Sequence, residues 1–322
     1  MTTKPNSGTE VLDGSEHICE VWAFNLEEEM ERLRDIAEKY PYIAMDTEFP
    51  GVVARPVGPF RDGQDYNYQR VKCNVDLLKV IQIGLTFCDA QGRLPTEDGE
   101  PFNTWQFNFQ FDLSSDLFAS DSITFLQASG VDFDQLQQQG VDVSLFGELL
   151  MSSGIVLNDD IRWLSFQGKY DFAYLVKVLT CDQLPSKQEQ FFDLLQTYFP
   201  NLYDIRWLTH NLTCADEGSA EDALLKSVKD RGLEELAQSL GVGRIGQAHQ
   251  AGSDSLITAK AFFALKKAYC PDLETNRHEV LANILHGLGR GFLRTERDAV
   301  RPDIKFPVNG VVRIGKGVVV AE

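Results

Sequence analysis

Tyr42-Ile43-Ala44-Met45-Asp46-Thr47-Glu48-Phe49-Pro50-Gly51 decides how this 322-residue chain is read. Four apolar residues lead into two carboxylates separated by one residue. A strand carries residues i and i+2 on the same face, so Asp46 and Glu48 are expected to project together from a half-buried strand that Phe49-Pro50-Gly51 ends. Acids placed so close repel each other and lose hydration unless a cation lies between them. They would also stand near a strand's carboxyl end, where ligands gather in α/β sheets. Taken alone, such a pair is more often two solvated acids on an edge strand, so the rest of the chain has to decide.

Composition allows one large domain or two small ones. With 43% hydrophobic residues and 21 Phe there is ample material for a core. No apolar run reaches the roughly 18 to 20 residues of a membrane span, so no membrane partner is expected. Residues 1–20 begin without an apolar signal region and are read as a short flexible tail. Cys19, Cys73, Cys88, Cys181, Cys214 and Cys270 are scattered without a CxxC pair. Such usage points to a reduced, intracellular protein with buried thiols rather than to zinc or a disulfide framework. Asn211-Leu212-Thr213 matches a glycosylation acceptor but carries little weight without a secretory signal.

A net charge of −18 speaks, at first, against nucleic acid, whose phosphates are normally met by Lys and Arg. The balance is uneven. From Gly287 onward seven basic residues (Arg290, Arg294, Arg297, Arg301, Lys305, Arg313, Lys316) face four acidic ones, leaving +3 in the tail and −21 in the body. An acidic body can still hold phosphate where bound cations make the contact.

Periodicity predicts a helix over 26–40, the strand bearing Asp46 and Glu48, a short helix over 65–75, and strands over 77–87 and 104–111 joined by a hairpin over 89–102. Helices are then expected at 120–129, 132–139, 144–152, 171–179, 189–198, 232–240, 253–269 and 276–285, with short strands at 161–166 and near Leu202-Tyr203. The pattern fits a mixed sheet covered by helices in one domain, 21–289, with 290–322 as a basic extension of open role and a β-prone end at Gly317-Val318-Val319-Val320.

Two further segments carry acids. In Gln167-Gly168-Lys169-Tyr170-Asp171-Phe172, a glycine break before an aromatic helix puts Asp171 at a strand-to-helix junction, where an N-cap role is equally open. Asp171-Phe172-Ala173 lacks the glycine and the companion motifs of a kinase. In His249-Gln250-Ala251-Gly252-Ser253-Asp254, Gly252 and Ser253 suggest that a helix begins here, with Asp254 in its first turn and His249 in the approach. Such an arrangement suits a fixed carboxylate beside a movable general base, although a first-turn acid and a surface histidine are the ordinary alternatives. Gly241-Val242-Gly243-Arg244-Ile245-Gly246 matches a dinucleotide fingerprint as a string. It follows a helical pattern rather than a strand, so its glycines are read as a helix stop and turn.

In this order, DxE, a middle Asp and HxxxxD, the chain resembles the DEDD 3′–5′ exonucleases of the histidine subclass, within the RNase H-like superfamily. More narrowly it is similar to the Pop/Caf-type catalytic subunits of the CCR–NOT mRNA deadenylase, over roughly residues 20–288. The likeness rests on Asp46–Gly51, Tyr68-Gln69, Cys73–Leu85, Trp105–Phe109, Trp163–Phe166, Tyr170–Phe172, Tyr203–Ile205 and His249–Leu256. The resemblance implies an α/β RNase H-like fold and a poly(A)-specific exoribonuclease releasing 5′-AMP. It further implies two divalent cations, Mg²⁺ or Mn²⁺, on Asp46, Glu48, Asp171 and Asp254, with His249 as the proton acceptor. Hard oxygen ligands agree with those ions. Phe49 and Lys169 are expected to touch substrate, Phe49 being equally readable as core, and Lys169 stands where the family commonly has a small uncharged residue. The implied partners are the 3′ end of poly(A) RNA, a NOT-type scaffold and a second deadenylase, in the cytoplasm with the nucleus as a second compartment. Alternatives are a non-catalytic adaptor of the same fold, or a general 3′ exonuclease on other RNA or DNA.

Overall fold

The structure, a computed structural model, describes residues 18–97, 100–101, 104–212, 218–270, 273, 281–290, 304–305, 311–314 and 317–320. In chain order it runs β1 (Ile18–Val21), α1 (Leu26–Ala37), β2 (Tyr42–Glu48), α2 (Gly63–Leu77) and β3 (Gln82–Cys88). A small ribbon, β4 (Thr96–Glu97) with β5 (Glu100–Pro101), leads into β6 (Thr104–Asn108). Then come α3 (Ser120–Ala128), α4 (Phe133–Gln139), α5 (Val143–Met151), β7 (Arg162–Ser165), α6 (Lys169–Thr180), α7 (Gln188–Tyr198) and β8 (Leu202–Asp204). The last part holds α8 (Ile205–Asn211), α9 (Ala220–Val228), α10 (Leu233–Ser239), α11 (Ala251–Tyr269) and the ribbon β9 (Ile284–Leu285) with β10 (Gly289–Arg290). The tail strands β11 (Ile304–Lys305), β12 (Val311–Ile314) and β13 (Gly317–Val320) pair antiparallel.

Six strands form one sheet in the order β1-β6-β3-β2-β7-β8, and β3 runs against the other five. Alternation along β2 creates the two sides. Ile43 and Met45 join a core shared with α1, α5 and α6, where Phe107, Phe146, Trp163 and Phe172 are buried. Tyr42 and Ala44 face the opposite core, built from α8, α9, α10 and α11 around Leu208, Leu225, Leu236 and Phe262. Burying one such side chain is worth about 1.5–3 kcal/mol, so both faces of β2 are strongly specified up to Met45. Asp46 and Glu48 continue the parity of Tyr42 and Ala44, toward α11.

Several expectations change at the edges of elements. The segment expected as tail contains β1, whose Ile18–Val21 pair in parallel with Thr104–Phe107, so the ordered fold begins before residue 21. Helix α2 is longer than expected, 15 residues, because Asp62 accepts from the Gln64 and Asp65 amides at its start. At its other end the Lys177 ammonium donates to the carbonyls of Val75 and Leu78 at 2.7 and 3.0 Å. Leu77 therefore ends a helix, and β3 starts only at Gln82. β6 stops at Asn108, after which Phe111 turns into a small cluster with Ile81 and Phe133. Helices α8 and α9 were not foreseen. Of the helix expected over 276–285, residues 276–280 lie outside the described residues, and Ile284-Leu285 is a strand instead. Cys88 and Cys270 are buried as expected, whereas Cys181 is exposed. Among the described residues no helix is long and apolar enough to cross a membrane.

Candidate active site

Asp46 pairs with Gly84 on β3 and Glu48 with Gln82, so the two acids stand in successive rows on the face that α11 covers. Gly84 decides how close that helix comes. A Cβ at this position would run into the backbone of Ala251 and Gly252. Without one, the first turn of α11 lies directly on the sheet beside Asp46.

That first turn has no side-chain cap of its own, since its N-cap residue is Gln250. The sheet supplies the acceptors instead. Gln106 Oε1 accepts from the Gly252 amide at 2.8 Å and Gln82 Oε1 from the Ala251 amide at 3.4 Å, serving two of the orphan donors of a helix start. Glu20 on β1 holds the amides of Gln106 and Asn108 at 3.0 and 2.7 Å, and Asn108 in turn accepts from Gln82 at 2.8 Å. One row further, Thr86 bridges Thr104 and Ser255 at 2.9 and 2.8 Å. This polar layer locks α11 in register, and Asp254, its fourth residue, arrives beside Asp46 and Glu48.

Asp171 approaches from the other side. It is the third residue of α6, whose N-cap is Gly168, so it is not the cap that its position suggested. Its carboxylate accepts from the Thr47 hydroxyl at 2.5 Å and from the Thr47 amide. Thr47, only 5% exposed, thus turns away from Asp46 and Glu48 and ties the third acid to the same strand. β7 pairs with β2 only as far as Ala44, which leaves this length of β2 free to receive α6.

His249 sits in the turn before α11, exposed, at φ +64°, with its ring edge against Phe125 at 4.6 Å. Gln250 pins the turn by donating to the Ser129 carbonyl at 2.9 Å. Ligand atoms of Glu48, His249 and Asp254 all lie within 4.8 Å of one another.

The four carboxylates feel each other. Burial, and then the charges of Asp171, Asp254 and Glu48, push Asp46 well above the usual carboxylate range. Burial with Asp254 and Asp171 pushes Glu48 up to about 8. Asp171 is pushed up to about 7, mainly by burial and against the pull of Thr47. Asp254 is also raised by burial, opposed by Arg244, whose guanidinium pairs with it and also donates to Ser253 Oγ at 2.9 Å. Four converging carboxylates whose repulsion Arg244 offsets only in part fit hard divalent cations such as Mg²⁺ or Mn²⁺.

A cavity of about 470 Å³ opens from Asp46 and Asp171. Phe49 and Lys169 both line it, as does Tyr170, which stacks on Phe49 at 5.0 Å and 26°. Phe49 is half-buried and packs on the core at the same time, so core and cavity wall are one position. Thus the structure brings together all seven residues singled out from the sequence. Sequence reasoning missed Thr47, Gln82, Gly84, Gln106 and Arg244. Arg244 lies inside the glycine string that was set aside, and the turn there was readable: Gly241 has φ +73° and the Val242 amide returns to the Ala237 carbonyl at 2.9 Å.

An α/β sheet with this strand order and a carboxylate cluster at the end of β2 defines an RNase H-like nuclease fold. The CAF1 family ribonuclease model matches residues 21–143 and 165–262, and the chain belongs to that family. It is 50% identical over 273 residues to the probable CCR4-associated factor 1 homolog 10 of Arabidopsis thaliana, covering 84% of this chain and 92% of the relative. To the poly(A) ribonuclease pop2 of Schizosaccharomyces pombe it is 42% identical over 292 residues, 90% of this chain and 80% of the relative. Among solved structures, the Mg²⁺- and Mn²⁺-bound form of S. pombe Pop2p superposes with a TM-score of 0.72 at 42% identity, over 84% of this chain and all of that one. Yeast CAF1 co-crystallized with the NOT1 MIF4G domain gives 0.63 at 29%, over 83% and 92%.

Proposed function

We propose that this chain is a 3′–5′ exoribonuclease that shortens poly(A) tails and releases 5′-AMP, with Asp46, Glu48, Asp171 and Asp254 holding two divalent cations. The observation that carries this reading is the convergence of four carboxylates from β2, α6 and α11, each pushed toward protonation by its neighbours or its burial. The relative named as a poly(A) ribonuclease supports the substrate, and the Mg²⁺- and Mn²⁺-bound relative supports the ions. When bound, two such cations lower the pKa of a water and offset charge on the entering and leaving oxygens of an in-line displacement.

The chain's own groups do the rest. His249, exposed beside Glu48 and Asp254, takes the proton of the attacking water. Thr47 fixes the Asp171 rotamer, and Arg244 fixes that of Asp254. Phe49, backed by Tyr170, offers a flat wall to the terminal nucleoside. The NOT1 complex of the yeast relative supports a NOT-type scaffold as partner, and a second deadenylase is proposed with it.

The test is a shortening assay on a 3′-adenylated RNA with Mg²⁺ or Mn²⁺, with EDTA and Asp46→Ala as controls. Stepwise loss of adenylate that both controls abolish is expected. Shortening that survives either control rejects the site, and equal rates on mixed-sequence RNA or single-stranded DNA reject the poly(A) preference.

A further inference from the structure

Two cations, Arg70 on α2 and Lys169 at the start of α6, line the same cavity as Asp46 and Asp171 without pairing with either acid. Among the described residues neither side chain has a hydrogen bond or an ion pair. Their neighbours differ. Arg61, just before α2, is paired with Glu189 at 2.6 Å, and Lys72, within it, with Asp76 at 2.5 Å. In a chain of net charge −18, two cations that line one cavity without an ion pair offer a place for an anion. Like charges on one cavity wall call for a partner of opposite sign: an anion between them.

We infer that Arg70 and Lys169 clamp the phosphodiester one nucleotide upstream of the scissile bond, which makes the cavity a two-nucleotide site. The inference rests on the ribonuclease reading above. A cavity of about 470 Å³ falls within the usual range for small-ligand sites, and both acids and cations line it. Divalent cations on the four acids would serve the scissile phosphate. The next phosphate has no such ion and meets an acidic body, so protein cations must take it. An arginine fork suits a phosphate geometrically, and a lysine adds a point charge. Phe49 and Tyr170, stacked on each other, line the same cavity and offer a flat surface to a base.

The experiment compares the wild type with the double variant Arg70→Gln/Lys169→Gln on ApA, which has no upstream phosphate, and on A8, which has several. The ratio of kcat/KM for A8 over ApA is expected to fall tenfold or more in the variant, through KM. Each single variant carries part of the fall. An unchanged ratio, or equal loss on both substrates, overturns the clamp. Equilibrium binding of a phosphorothioate A8 strand with Mg²⁺ reads it without turnover. The slope of log K against log salt is expected to be shallower by about 1.4 in the double variant, roughly 0.7 per cation lost, and equal slopes overturn the clamp. A wild type that shows the binding difference but shortens no RNA counts against the exonuclease reading while leaving the clamp standing.

Discussion

Gly84 on β3 and Ala251 at the start of α11 meet backbone to backbone, with no room for a Cβ between them. The contact sets the height of α11 above the sheet, and with it the position of Asp254. Gly84→Ala is expected to lift the helix start, weaken the Gln82 and Gln106 caps, and destabilise the fold by about 1–3 kcal/mol. RNA shortening, measured far below the melting transition, should fall more than the loss of folded protein explains. A wild-type rate in this variant would show that Asp254 does not depend on the contact.

Arg244 is the cation that Asp254 keeps, and both side chains are mostly buried, at 13% and 11% exposure. Removing one partner of such a pair strands the other, at a cost of about 3 kcal/mol. Arg244→Met should therefore lower the melting temperature, and adding Asp254→Asn should restore part of it. Additive losses in that double-mutant cycle would mean that the pair is energetically unimportant.

For His249→Asn a large fall in kcat is expected, with divalent-ion affinity close to wild type. Titration of Mn²⁺ by calorimetry separates the two. Because its ring lies within ligand distance of Glu48 and Asp254, an equal loss of ion affinity would reassign it from proton acceptor to ligand.

On the proposed reading, protons would compete with cations for the four acids. Glu48 at about 8 and Asp171 at about 7 lie above their ordinary values near 4. Raised carboxylates mean that the folded state holds more protons than the unfolded chain between about pH 4 and 8, so their contribution to stability falls as pH rises through that window. In EDTA the melting temperature should drop across it, less steeply in Glu48→Gln. Added Mg²⁺ should raise it little at pH 5 and most at pH 8. A stabilisation by Mg²⁺ that is the same at both pH values would refute the coupling.

Much of this was readable from local pattern. Period-two alternation placed Asp46 and Glu48 on one face, and Gly252-Ser253 marked the start of α11 to within two residues. What escaped was non-local. Asp171 looked like an N-cap because that is what an acid near a glycine break does alone; its partner, Thr47, is 124 residues away. The cap of α11 comes from glutamines on two strands, which no window around Gln250 contains. β1 is four residues of mixed polarity, and only its pairing with β6 makes it a strand. Helices α8 and α9 are short, and α8 opens on Asp204, which serves as strand end and cap at once. Arg244 was hidden by a motif whose glycines were read correctly and whose one charged residue was passed over.

Asp254 is the last of the four acids in chain order, and it rides on the helix that closes the sheet. A ribosome releases the chain from its N-terminus, so Asp46, Glu48 and Asp171 emerge with that face of β3 still bare. On the proposed reading, the four-acid site is therefore complete only once α11 has docked on the sheet.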